Sequence, residues 1–484
     1  MDRRIGYALL ALAAFLVVLY VPLPAQVQAG DGTAELTTAG RSALAVLALA
    51  VVLWMTEVLP FPVTGMVAIA VLVVTGAGEF RALVREGFGH DIVLFIIGVM
   101  ILSSAISRTG LLKRVTTGLL FRFGHSPRTV LLAFLAVGAL TSMWISDMAV
   151  AAILTPIGAG ILKQRSFKKR ASNFGKSLMI SCAWGPLIGG VATPAGCGPN
   201  PLTIGYLRDL ADIHITFGDW MLVGLPAAAL MVPLAWVTLL RCFPLEHMDL
   251  RVTEEEARIA SAELGRFSRR EAHTVGILGI AVLLWLGKPL LDTWTGGATG
   301  YLSISFVAML CGCLFFLPKI DVITWRQAEE DCDWGGLVLI VTGLSLGMAV
   351  YNSGAAEWLA TLAFSRIGDV PPVGQIFLVV LAVSLMKVFF SSNTVTGVIV
   401  VPLLIALSKQ VGVDTALLTI PAGITASLAF ILVTSAPANV IPYSAGYFSI
   451  RDMAKAGLWM TVSSSACVTL SFVLMGRFVG INVF

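Results

Sequence analysis

Between residues 5 and 476 the chain returns repeatedly to apolar runs of about twenty residues, the length an α-helix needs to cross the hydrocarbon of a bilayer. Few folds remain open to such a chain. In lipid every backbone N–H and C=O must be satisfied within the protein, so spanning segments are helices or strands of a closed barrel, and continuous runs of this length are helices. Eleven spans are expected, at about 5–23, 42–59, 62–78, 92–111, 177–196, 218–240, 274–292, 300–317, 335–352, 415–440 and 457–476. Only 12% of the residues are charged, against about 25% in a soluble protein, which leaves no room for a large soluble domain. The net charge of +4 comes from basic residues in short loops, not from one face, so nucleic-acid binding has no support. The seven cysteines are dispersed and have neither a disulfide framework nor zinc spacing.

Arg3 and Arg4, an apolar stretch and Ala25-Gln-Val-Gln-Ala29 have the outline of a signal peptide. The apolar stretch is also long enough to span, and an uncleaved first helix starting in the cytoplasm is expected. The loops richest in Lys and Arg, Lys113 to Arg128, Lys163 to Lys176 and Arg241 to Arg270, then all fall on the cytoplasmic side, provided that segment 129–162 enters and leaves on that side. Its flanks fit this: Arg122, His125 and Arg128 precede it, and Lys163, Arg165, Lys168, Lys169 and Arg170 follow.

That segment is interrupted by Thr141-Ser-Met-Trp-Ile-Ser146-Asp147, leaving two arms too short to cross. A re-entrant hairpin with a polar tip is expected, with two ordinary spans joined by a tiny loop as the alternative; irregular backbone at that depth must be buried in protein or line a cavity. Segment 373–407, with Ser391-Ser-Asn-Thr394 at its centre and Arg366, Asp369 and Lys409 as sparse flanking charges, reads as a second hairpin entering from outside. The two align: Ser146 falls on Ser392, Asp147 on Asn393 and Pro156 on Pro402. Further on, Ala192-Thr-Pro-Ala-Gly-Cys-Gly-Pro199-Asn200 has a counterpart in Thr434-Ser-Ala-Pro437-Ala-Asn439. The order of hairpin, then broken helix, occurs twice, which is the layout of an inverted-repeat transporter. The expected organisation is a helix and outer loop over 1–40, a first repeat over 41–240, a charged cytoplasmic linker over 241–272 and a second repeat over 273–484. Half-helix N-termini at the breaks suit an anion; unwound carbonyls and Ser, Thr and Asn side chains suit a desolvated Na+.

In these elements, in Trp54-Met-Thr-Glu57-Val-Leu-Pro60-Phe-Pro62-Val-Thr64 and in Tyr447-Phe-Ser-Ile-Arg-Asp-Met-Ala-Lys-Ala-Gly457, nearly the whole chain resembles the divalent anion/sodium symporter family of dicarboxylate, citrate and sulfate carriers. The resemblance implies an all-α polytopic protein of the plasma (inner) membrane, with about eleven transmembrane helices, two re-entrant hairpins and an elevator-type homodimer. It implies a Ser-Asn-Thr motif at each tip that meets the substrate and helps to build the Na+ sites. Substrate candidates are Ser146, Asp147, Cys197, Ser392, Asn393, Thr394 and Pro437. Na+ candidates are Ser142, Ser146, Asp147, Gly196, Ser391, Asn393 and Ser435. The second motif is intact. The first reads Ser146-Asp147-Met148, the first Pro/Asn element Cys197-Gly198-Pro199-Asn200, the second Ala436-Pro437-Ala438-Asn439, and Val388-Phe389 replaces a Thr-Glu pair. Transport class survives these departures; ordinary dicarboxylate specificity does not follow from them.

Asp147 is the sharpest feature, because a carboxylate at membrane depth costs several kcal/mol unless paired, coordinated or protonated. Three roles are open to it: a Na+ ligand, a carrier of the coupling proton, or a partner for a cation such as Lys387; a plain helix N-cap is the fourth. Lys387 is open to two, a snorkelling side chain that reaches the interface or a positive charge replacing a Na+ or meeting substrate. For Glu57, before Pro60, an interfacial place is expected. Gly343-Leu-Ser345-Leu-Gly347 matches a nucleophile elbow, but inside an apolar run such glycines serve helix packing, and an enzyme is not expected. The expected function is secondary transport of a small divalent oxyanion, dicarboxylate or sulfate-like, with Na+ as coupling ion and no other cofactor. Proton symport through Asp147, anion exchange and, further off, a channel are the alternatives.

Overall fold

A computed structural model describes residues 2–29, 32–123, 126–246, 265–364, 367 and 370–481. Most of the expected linker, with His125, Arg366 and Asp369, lies outside the described residues. Helix α1 (Asp2–Tyr20) packs on α2 and is followed by an antiparallel ribbon of β1 (Gln26–Ala29) and β2 (Gly32–Glu35). Then come α2 (Thr38–Thr56), α3 (Phe61–Val74), α4 (Phe80–Gly87), α5 (Ile92–Arg108) and α6 (Leu111–Phe123). They are followed by α7 (Pro127–Ser142), α8 (Asp147–Gln164), α9 (Asn173–Gly190), α10 (Pro199–Ala211) and α11 (Phe217–Cys242). The second series opens with α12 (Arg269–Thr295), α13 (Ile304–Leu314), α14 (Trp325–Asp331), α15 (Trp334–Asn352) and α16 (Ala355–Phe364). It closes with α17 (Pro372–Met386), α18 (Asn393–Val411), α19 (Thr415–Thr425), α20 (Pro437–Ser444) and α21 (Ile450–Met475).

Local chemistry sets these bounds. Capping boxes start α7 (Ser126 with Thr129), α11 (Thr216 with Asp219), α12 (Ser268 with Glu271) and α21 (Ser449 with Asp452), each satisfying orphan N–H groups of a first turn. The Trp54 to Thr64 motif is a helix stop and restart. Glu57 takes a left-handed conformation (φ 51°), the Trp54 indole donates to the Phe61 carbonyl, and Pro62 sits in the first turn of α3.

Eight of the described helices are long and apolar enough to cross a membrane; seven fall on the eleven expected spans, and the eighth, α18, is an arm of the expected second hairpin that is itself long enough to cross. The differences fall where the chain breaks. Helix α9 stops at Gly190 rather than 196, and α3, α13 and α19 have 14, 11 and 11 residues. The run expected over 415–440 is α19, then irregular backbone from Ala426 through a 3-10 turn at Val433–Ser435, then α20. Gly343, Ser345 and Gly347 lie inside α15 as packing positions: the Tyr206 hydroxyl donates to the Gly343 carbonyl, and the Ser345 hydroxyl to the Leu83 carbonyl.

Several helix contacts of the first series recur in the second, each helix replaced by the one ten places later. Helix α13 packs on α5 as α3 packs on α15; α4 on α15 as α14 on α5; α7 on α9 and α11 as α17 on α19 and α21. Between the series, α20 lies on α8 as α10 lies on α18, and α11 packs on α21. Two glycines mark matching close approaches. A Cβ at Gly224 of α11 would stand 2.5 Å from the Val191 carbonyl oxygen, and one at Gly457 of α21 would stand 2.2 Å from that of Phe430. Both carbonyls belong to interrupted segments, so the two long helices press directly on irregular backbone. Gly457→Val is expected to destabilise the protein by roughly 2 kcal/mol or more through overpacking, and Gly276→Val, at an open position, to leave it unchanged. Thermal unfolding of the detergent-solubilised variants tests both.

Candidate functional site

Two helix pairs turn through polar tips. In the first, α7 ends at Ser142, and Ser146 caps α8 by accepting from the Ala149 N–H. In the second, α17 ends at Met386, and Ser392 caps α18 by accepting from the Val395 N–H. Thr, Ser and Asn stop helices here because their side chains replace the missing backbone partners. The aligned serines thus do the same work in both pairs, and Asp147 and Asn393 each become the first residue of a helix.

The tips touch. Asn393 Nδ2 donates to Asp147 Oδ2 at 3.1 Å, and Asn393 Oδ1 accepts from Lys387 Nζ at 2.8 Å. The second Asp147 oxygen accepts from the Met148 N–H at 2.8 Å, a cap at the positive end of α8. Lys387 is 1% exposed, which removes the snorkelling role; its head is turned inward and reaches the carboxylate through one carboxamide. Ser391 donates to Glu57 at 2.5 Å, so the exposed Glu57, expected only to sit at an interface, also braces the second tip. Trp144 in the first tip stacks on Phe217, which stacks in turn on Trp285.

The interrupted segments close around the tips. Asn200 Nδ2 donates to the carbonyls of Gly190 and Thr193 at 2.8 and 2.7 Å, ten and seven residues earlier. Asn439 Nδ2 donates to those of Ala429 and Leu432 at 2.7 and 3.1 Å, again ten and seven residues earlier. Cys197 Sγ lies 3.2 Å from the Gly190 carbonyl, 3.1 Å from Asn200 Oδ1 and 2.7 Å from the Ser427 hydroxyl, joining the first break to the second. A Cβ at Gly198 would stand 2.5 Å from the Thr394 hydroxyl, so the first break also abuts the second tip.

Ser146, Asp147, Cys197, Asn393 and Thr394 are therefore brought together; Pro437 opens α20, which packs on α8. Among the cation candidates, Ser142 and Ser435 have buried hydroxyls without a hydrogen-bond partner among the described residues, as does Asn439 Oδ1. The Ser391 hydroxyl and Asn393 Oδ1 are engaged, by Glu57 and Lys387. Sequence reasoning missed Ser427 and Thr193, whose hydroxyl donates to the Met143 carbonyl of the first tip at 2.5 Å. The only signal available for them was a hydroxyl residue in an interrupted apolar run.

A helical membrane protein whose two tips and two interrupted helices converge on one polar centre is a multi-pass membrane transporter. The description of the sodium:sulfate symporter transmembrane region matches residues 2–481, and the chain belongs to that family. It is 29% identical over 452 residues to the sodium-dependent dicarboxylate transporter SdcS of Staphylococcus saprophyticus, covering 89% of this chain and 85% of that protein. It is 30% identical over 451 residues, with the same coverage, to the SdcS of Staphylococcus aureus. Its fold is similar to that of the Alcanivorax borkumensis YdaH transporter, at a TM-score of 0.56 and 16% identity over 99% of this chain and 97% of that one. It is also similar to Neisseria gonorrhoeae MtrF, at a TM-score of 0.57 and 13% identity over 97% and 94%.

Replacing either buried asparagine by Ala removes two hydrogen bonds, but the Gly190 and Thr193 carbonyls keep Cys197 Sγ and the Gly196 N–H, and the Leu432 carbonyl keeps the Ser435 N–H. The Ala429 carbonyl alone is left without a donor among the described residues, at roughly 1–3 kcal/mol. Asn439→Ala is therefore expected to lower the unfolding temperature further than Asn200→Ala, after which Cys197 also keeps its contacts with the Gly190 carbonyl and Ser427. Thermal unfolding of the two purified variants orders them.

Proposed function

We propose that the protein is a secondary active transporter that carries a small divalent oxyanion, dicarboxylate or sulfate-like, across the plasma membrane with Na+ as the coupling ion. The observation that carries the reading is the contact between the tips, Asn393 to Asp147, in a centre shared by both halves of the chain. The α7–α8 and α17–α18 pairs are re-entrant hairpins in this reading, and the identical reach of Asn200 and Asn439 supports two inverted repeats. The relatives named as sodium-dependent dicarboxylate transporters support both the ion and the class of substrate.

The donor set fits Na+. Buried, unpartnered hydroxyls at Ser142 and Ser435, with the carboxylate of Asp147, are hard oxygen ligands. The N-termini of α10, α18 and α20 begin at the second tip or the breaks, where their positive dipole ends favour an anion. The reading further takes the N-terminus as cytoplasmic, the protein as a homodimer, and the hairpin-bearing parts as moving against the rest in an elevator cycle. Solute leaves unchanged, so no catalytic group is invoked.

Purified protein in liposomes is expected to take up succinate or sulfate under an imposed inward Na+ gradient, with saturation and counterflow. Asp147→Asn, which leaves Lys387 without its counter-charge, is expected to lower that uptake at least about tenfold, or ~1.4 kcal/mol. Uptake that follows an imposed pH gradient and ignores Na+ would make the proton the coupling ion. Absence of uptake of either anion under both gradients would sink the reading.

A further inference from the structure

Lys387 is the buried charge that transport as described above leaves without a task. The residue is 1% exposed, in a place where an unpaired charge is strongly disfavoured. Among the described residues no carboxylate lies within ion-pair distance; its partner is the side-chain carbonyl of Asn393, 2.8 Å away. The α17 C-terminus, whose Val383 carbonyl accepts from the Lys387 N–H, adds the negative end of a helix dipole. A side-chain carbonyl at a helix break, facing a C-terminal helix end, is the setting in which a dehydrated monovalent cation is held.

The two halves differ in this respect. In the first, the buried Ser142 hydroxyl has no partner among the described residues. In the second, the oxygens of the tip itself are engaged, Ser391 with Glu57 and Asn393 Oδ1 with Lys387, and the Ser435 hydroxyl and Asn439 Oδ1, which have no partner among the described residues, belong to the following break. We propose that the Lys387 ammonium is a tethered cation. It occupies the position at the second tip that a dissolved Na+ would take, so that no exchangeable ion binds at that tip. The proposal rests on the reading of the site as cation-coupled. Position 387 then fixes how many Na+ ions accompany the substrate.

The test is the Na+ dependence of thermal unfolding of purified protein, with choline replacing Na+ at constant ionic strength, and needs no substrate. Lys387→Ala clears the space as well as the charge. Its unfolding temperature is expected to depend more steeply on Na+ than that of the wild type by the equivalent of one ion, each tenfold rise in Na+ adding up to about tenfold to its folding constant. Lys387→Arg, which keeps the charge, and Lys387→Met, which fills the space without it, are expected to keep the wild-type slope.

Equal slopes for Lys387→Ala and wild type would overturn the proposal. So would a Lys387→Ala protein that stays unfolded in high Na+, because no dissolved ion would then have replaced the ammonium. A steeper slope in Lys387→Met as well would also overturn it, since the added ion would not need the vacated space. Wild-type vesicles that move neither anion would remove the transport reading while the slopes still decided the role of Lys387.

Discussion

The interrupted helices place irregular backbone in the interior of a membrane protein, where water cannot solvate it and each unpaired carbonyl costs free energy. Everything at the site depends on how that backbone is satisfied. Asn200 and Asn439 do it with one amide each, bridging from the start of the short second helix to two carbonyls of the preceding segment. Because the donor is a side chain and not the next turn of helix, the backbone between is released from helical geometry without losing its partners. That release lets Cys197 and Gly198 reach Ser427 and Thr394. It also brings the carbonyls of Val191 and Phe430 against Gly224 and Gly457, where any side chain would collide. The asparagines set the fold of the breaks, and the glycines let the long helices close over them.

The two halves are alike where backbone must be satisfied and differ where charge is concerned. Cys197 supplies a hydrogen-bonding neighbour to Asn200 Oδ1, whereas the residue three before Asn439 is Ala436, and Asn439 Oδ1 is left unpartnered among the described residues. One substitution in the sequence thus accounts for one orphaned acceptor in the structure. Such an acceptor is tolerated at a site that receives ligands and is a net cost elsewhere.

How much of this could be read from the sequence depends on the range of the interaction that fixes each residue. Ser146 and Ser392 were legible because an N-cap is a local device, settled within three residues and repeated at the same offset from Pro156 and Pro402. The two Pro/Asn elements were legible for the same reason. The helix breaks were visible, but not their extent: α9 and α19 end where remote carbonyls and glycines meet them, so 177–196 and 415–440 read as whole spans. Lys387 was ambiguous because a lysine near the end of an apolar run reads the same whether it turns outward to the interface or inward to Asn393. Glu57 with Ser391, Thr193 with Met143 and Cys197 with Ser427 join residues 334, 50 and 230 positions apart, and nothing periodic announces such pairs.

The alignment that places Ser146 on Ser392 places Thr141 on Lys387 and Asp147 on Asn393. At the first of these positions the Thr141 hydroxyl is spent on its own helix, donating to the Val137 carbonyl, while its counterpart is an ammonium. At the second, a carboxylate faces an amide. The two departures from internal symmetry are thus opposite charges, and they fall on either side of one carboxamide, whose Nδ2 points to the anion and Oδ1 to the cation. Either charge alone would stand at membrane depth without compensation. Together they leave the joined tips neutral and oriented, negative toward the α7–α8 pair and positive toward the α17–α18 pair. On the transport reading proposed above, an anion at this centre meets its positive charge on one side only, at Lys387, and the carboxylate of Asp147 on the other.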